Sequence, residues 1–228
     1  MNALTYTLIP VGAAAVGGGV AVWRQPGPAL VSTIQHFAAG VVFAAAAGEI
    51  LPDVMHGGSP TATLVGGALG VLVILLIKKF EERAKGPIGL LSAVGVDILV
   101  DGLVLGLAFI GGQKAGLLLT IALTVEILFL GLTVTNELSK MLRARWQILA
   151  ATIALALLLP VGTLIASPVS LLPAVVVTGF LSFGLMALLY LVTEELLVEA
   201  HEKPDNVWIT AAFFVGFLAL LAIEELIG

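Results

Sequence analysis

The chain has 228 residues, 60% hydrophobic and 11% charged, with a formal net charge of −5 and no cysteine; its mean hydropathy is +1.15. Soluble domains hold about 45–50% apolar and about 25% charged residues, so a water-soluble core of this size cannot hide so much apolar surface. The composition implies an integral membrane protein lying almost entirely in the bilayer, and it excludes disulfides, thiolate metal ligands and cysteine nucleophiles.

A helix needs about 20 mostly apolar residues to cross a hydrocarbon core of about 30 Å. Breaking the chain at Pro/Gly and charged clusters predicts eight spans, near 3–23, 31–55, 62–80, 88–111, 115–138, 146–166, 170–198 and 207–227. "MNALTYTLIPVG" lacks a positively charged leader region and reads as the first span. The breaks "WRQPGP", "DVMHGGSPT", "KKFEERAKGP", "GGQK", "SKMLRAR", "ASP" and "AHEKPDN" are short, so one transmembrane domain, 1–228, is expected with no soluble insertion. Strand alternation is absent and the runs are too long for barrel strands. Pro160 is expected to kink span 6.

Basic residues set the expected topology. Arg24, Lys78, Lys79, Arg83, Lys85, Lys140, Arg143, Arg145 and Lys203 fall in the four loops on one side, and Lys114 alone falls on the other. The basic loops are expected to be cytoplasmic, with both termini outside. The membrane is expected to be a plasma membrane, of the bacterial cytoplasmic kind.

Glu81, Glu82, Glu137, Glu202 and Asp205 lie at span ends or in loops and need no special account. Asp97 and Asp101 in "VDILVDGLVLG" fall near the middle of span 4, and Glu126 falls near the middle of span 5. A charge at the bilayer centre costs about 2.5–3.5 kcal/mol even on the lenient insertion scale. Every base lies in or near a loop, so the sequence offers these acids no basic partner. Each must be protonated, hydrogen-bonded to a neutral group, or bound to a cation. Residues i and i+4 share a helix face, which puts Asp97 and Asp101 together. The short "GGQK" link makes spans 4 and 5 antiparallel neighbours, so Glu126 can face the aspartates. The expectation is a carboxylate cage for a cation, with Gly95, Gly102 and Gly106 allowing close helix approach or local unwinding.

Two further acid pairs have the same spacing: Glu49 and Asp53 in span 2, Glu195 and Glu199 in span 7. Aligning Glu49 with Glu195 also pairs Phe37 with Phe183. Opposite expected directions for these spans suggest an inverted repeat, spans 1–3 against 6–8 with 4 and 5 between, a transporter pattern. Glu49 and Asp53 then mark an outer mouth, and Glu194, Glu195 and Glu199 an inner one, both attractive to cations. His36 in "QHFAAG" lies where it can line an exit, while His56 and His201 sit at loop edges.

With these pieces in place, the chain resembles the ZIP (Zrt/Irt-like) metal transporter family. Its span 4 pattern, roughly His-Asn-x-Pro-Glu-Gly, is replaced here by "DILVDG", with Asp97 at the histidine, Asp101 at the glutamate and a matching Gly102. Its span 5 pattern is matched at Glu126 in "VEIL", and "HFAAGVVFA" and "ALLYLVTEELLVEAH" look like its spans 2 and 7. The resemblance implies eight spans, both termini outside, and a metal site between spans 4 and 5. Ile98, Val100 and Leu128 stand where the family has asparagine and two prolines, and Val125 and Phe129 where it often has further ligands. A single, harder site is therefore expected.

Oxygen ligands without His or Cys favour hard cations and lean toward Mn²⁺ or Fe²⁺, while the resemblance implies Zn²⁺. The expected function is alternating-access transport of a divalent cation as substrate, with no resident cofactor and no nucleic-acid partner. A proton-coupled carrier of a small solute would use the same acids as a relay. An enzyme is not expected: no HExxH motif is present, and Asp97 and Asp101 share one helix, whereas a protease dyad needs two converging segments. A structural or sensor role leaves the central acids without a use. The glycine-rich spans permit a homodimer.

Overall fold

The structure, a computed structural model, describes residues 3–24, 26–81, 87–202 and 206–227. Glu82, Arg83, Lys85, Lys203 and Asp205 lie outside the described residues. Every regular element among the described residues is helical, and eight helices are long and apolar enough to cross a membrane. Span 1 is Ala3–Trp23, span 2 Pro28–His56, span 3 Pro60–Glu81 and span 4 Pro87–Gly111. Span 5 is Gln113–Met141, span 6 Arg145–Leu171, span 7 Ala174–His201 and span 8 Val207–Ile227.

Local chemistry fixes the span starts. Proline is the first helical residue of spans 2, 3 and 4, where its missing N–H costs nothing. Asn206 caps span 8: its Oδ1 accepts from the N–H groups of Trp208 at 2.9 Å and Ile209 at 3.1 Å. Span 6 breaks at Leu157, between helical segments Arg145–Ala156 and Leu158–Ala166. That break is the expected effect of Pro160, whose ring clashes with the carbonyl four residues back, at Ala156. Span 6 then ends in a tighter turn, Ser167–Leu171.

Spans 2 and 7 each contain one widened π turn, at Ala46–Ile50 and Leu191–Leu196. Such turns interrupt α-helices mostly at functional places. Glu49 sits in the first, Glu194 and Glu195 in the second.

Helix packing has a repeating plan. Span 1 lies along span 5 as span 6 lies along span 4, and span 2 lies along span 8 as span 7 lies along span 3. Spans 4 and 5 touch each other at the centre. Small residues make the seams, because close backbone approach drives association in a membrane. A Cβ on Gly17 would strike the Leu128 carbonyl, and one on Gly131 would sit 2.6 Å from the Ala14 oxygen. Likewise a Cβ on Gly162 would strike the Leu99 carbonyl, and one on Gly102 the Leu159 carbonyl. Gly95 and Gly106 also face span 6, so the three span 4 glycines serve this seam. Span 4 is a continuous helix with no unwinding at any of them.

Candidate functional site

The central site is built on the 4–5 contact. Asp101 and Glu126 are each only 4% exposed. Among the described residues, the Oδ2 of Asp101 and the Oε2 of Glu126 are buried without a hydrogen-bond partner. Asp101 feels the charges of Glu126, Asp97, Glu195 and Lys78, and Glu126 those of Glu195 and Asp97. Among the described residues, however, no three of His, Asp and Glu stand close enough together to hold a metal ion. In this conformation the acids share a field without converging on one point.

One sequence expectation is corrected here. Asp97 does have a basic partner: Lys78 Nζ lies 3.3 Å from Asp97 Oδ1 and 2.8 Å from Glu195 Oε1. Lys78 is attached near the end of span 3, as expected, but its long stem lets the ammonium reach away from its own backbone. Sequence position gives the depth of a Cα, and a lysine's charge is several bonds further on. A cavity of about 30 Å³ lies among Lys78, Asp97, Asp101, Tyr190 and Glu195, with Ile74 and Ile77 on its wall. That volume is about one water molecule's share.

The spaced acid pairs do not act as pairs. Glu195 turns toward Lys78, whereas Glu199 accepts from Gln35 Nε2 at 2.6 Å. Glu49 meets Lys114 at 3.4 Å, and Lys114 also meets Glu224 at 3.2 Å. Asp53 instead packs on the end of span 4, where a Cβ on Gly111 would lie 2.6 Å from its Oδ2. The widened turns change the helical period beside Glu49 and Glu195, so a spacing of four no longer means one face. Glu194 is exposed.

Hollows open at both ends of the bundle. One of about 520 Å³ is lined by Pro26, Pro28, Glu137, Glu199 and Glu202, and it reaches Leu130, one turn from Glu126. One of about 390 Å³ at the opposite end includes Asp53, Ser170 and Thr178. His36 is fully buried; its Nδ1 donates to the Ser32 carbonyl at 2.9 Å, and its Nε2 has no hydrogen-bond partner among the described residues. Its ring meets His201 edge-on, with centroids 4.9 Å apart. His201, Lys114, Glu224 and Tyr190 thus join residues that spacing alone had singled out.

Among the described residues, these features define eight membrane-length helices around an interior in which Lys78 meets Asp97 and Glu195. No protein-family model matches the chain, and no curated protein matches it.

Proposed function

We propose that the protein transports a divalent metal cation across a membrane by alternating access, through the carboxylates of Asp101 and Glu126 with Asp97 beside them. The carrying observation is the pair of buried carboxylate oxygens without partners, Asp101 Oδ2 and Glu126 Oε2. Buried acids are paired, hydrogen-bonded or neutralised, and intramembrane acids mark ion paths. A cation between facing helices supplies the missing partner. Oxygen donors suit Mn²⁺ or Fe²⁺, and the likeness of "DILVDG" and "VEIL" to ZIP patterns adds Zn²⁺ to the class.

The packing plan supports the inverted repeat. A shift of 145 carries Ala14 onto Leu159 and Gly17 onto Gly162 (159 − 14 and 162 − 17), and one of 29 carries Leu99 onto Leu128 and Gly102 onto Gly131 (128 − 99 and 131 − 102). The seam between spans 1 and 5 is thus repeated, residue for residue, between spans 6 and 4. The same 29 carries Asp97 onto Glu126 (126 − 97), so these two acids are equivalents, whereas Asp101 falls on Leu130 (130 − 101). The same 145 carries Ala46 onto Leu191, the first residues of the widened turns of spans 2 and 7, and carries Glu49 onto Glu194 and not onto Glu195 as the sequence alignment had it (191 − 46 and 194 − 49). Two related halves around one site are the geometry from which rocking transport is built. The cation enters past Glu49 and Asp53, binds centrally, and leaves by the hollow lined by Glu199.

Uptake into proteoliposomes tests this reading across Zn²⁺, Mn²⁺, Fe²⁺, Cd²⁺ and Mg²⁺, with and without a pH gradient. Saturable uptake of Mn²⁺, Fe²⁺ or Zn²⁺ is expected. Proton flux that needs an organic solute and no metal would replace the proposal with the solute-carrier reading.

The orientation has its own test, made clean by the absence of native cysteine. With both termini outside in a bacterial cytoplasmic membrane, Ser59→Cys should react with an impermeant maleimide on intact cells. Arg143→Cys should react only after permeabilisation. The reverse pattern would invert the topology.

A further inference from the structure

We infer that Lys78 is a resident counter-cation of the transport site, and that the cargo binds by displacing its ammonium from Asp97. This rests on the transport reading above. In the structure the Lys78 ammonium bridges Asp97 Oδ1 at 3.3 Å and Glu195 Oε1 at 2.8 Å. The Asp97, Glu195 and Lys78 side chains are a fifth to a quarter exposed, while Asp101, one turn further along span 4, is buried with one oxygen unpartnered. The ammonium therefore stands at the rim of the acidic centre and neutralises its more accessible members.

Among the described residues no three acids converge on one point, and the hollow of about 30 Å³ is lined by Asp97 and Asp101 but not by Glu126. Something must move when a divalent cation enters. Lys78 is the flexible member: it carries its charge on a four-carbon stem, whereas the aspartates are short and their helix is continuous. With the ammonium withdrawn from Asp97, Glu195 remains to hold it. Asp97 then exchanges the ammonium for the ion, beside Asp101 and Glu126. The widened turn that carries Glu195 places that alternative partner beside the site.

This arrangement selects by charge. A monovalent ion offers Asp97 no more charge than the tethered ammonium already does, and the tether raises the local concentration of the competitor. A divalent ion doubles the charge and gains two further carboxylates. Lys78 thus discriminates against Na⁺ and K⁺ without a size filter. It also neutralises the empty carrier, so that the return step does not carry bare carboxylates through the bilayer.

The test is Mn²⁺ binding to the purified full-length chain in lipid nanodiscs, followed by electron paramagnetic resonance, with Na⁺ as competitor. Lys78→Gln should lower the Kd for Mn²⁺ by roughly tenfold or more, the scale of one close charge pair. It should also make binding sensitive to Na⁺ and slow uptake turnover. Lys78→Arg, which keeps the charge, should stay near the wild type in both. Unchanged or weaker binding by Lys78→Gln in a monodisperse sample, against a wild type that binds, overturns this inference alone. Absence of divalent binding in the wild type and both variants overturns the transport reading and this inference with it.

Discussion

Asp101→Asn is expected to abolish metal uptake while the protein still inserts and stays monodisperse. The substitution keeps the side chain's shape and removes the charge that a cation needs. Asp101 is 4% exposed and has an oxygen without a partner, so the wild-type carboxylate gains nothing structural from that atom. Burying an amide in its place is no harder than burying an unpaired carboxylate, and folding should be preserved or improved. The loss should therefore appear in turnover and binding, not in expression or thermal stability. Wild-type-like uptake by this variant would sink the site assignment. An aggregated variant would instead show that Asp101 is held by a structural partner.

Gly17→Leu is expected to disrupt the fold, and Gly19→Leu, two residues along the same helix, to be tolerated. A Cβ at Gly17 would strike the Leu128 carbonyl and lie 3.1 Å from its carbon, both backbone atoms that cannot rotate away. A Cβ at Gly19 meets nothing within 4 Å. Overpacking a seam costs about 1–3 kcal/mol where side chains can shift, and more where backbone must. Leu128 lies two residues after Glu126, so separating spans 1 and 5 also displaces the site. Size-exclusion profiles and thermal melts of the two variants check the contrast. Equal behaviour would show that the seam is not as tight as the 1–5 packing implies.

The fold was largely legible because hydropathy is a direct reading of the solvent. Each expected span overlaps a helix, with ends displaced by a few residues, and proline marked three starts and the break in span 6. The site was legible in part. A carboxylate deep in an apolar run is costly, so Asp101 and Glu126 stood out from cost alone, and the structure leaves both with unpartnered atoms. Asp97 was misread as lacking a basic neighbour because a sequence shows where a lysine is attached and not where its charge ends. The Glu49–Asp53 and Glu195–Glu199 spacings begin in turns that are not regular, so the spacing alone could not give each acid's neighbours. Hydropathy carries no signal for a single widened turn. The glycines of span 4 were recognised as close-approach residues, but composition could not say that their partner is span 6 rather than span 5.

The corrected Asp97 environment narrows the chemistry. Lys78 meets both Asp97 and Glu195, and in the proposed function an incoming divalent ion takes its place on Asp97.

The central claim is that Asp101 and Glu126 hold the cargo, and direct binding tests it most simply. Mn²⁺ titrated into nanodisc-embedded wild-type protein should occupy a saturable site that Glu126→Gln lacks, with both proteins equally folded by thermal melt. Equal Mn²⁺ binding by the two would contradict the account.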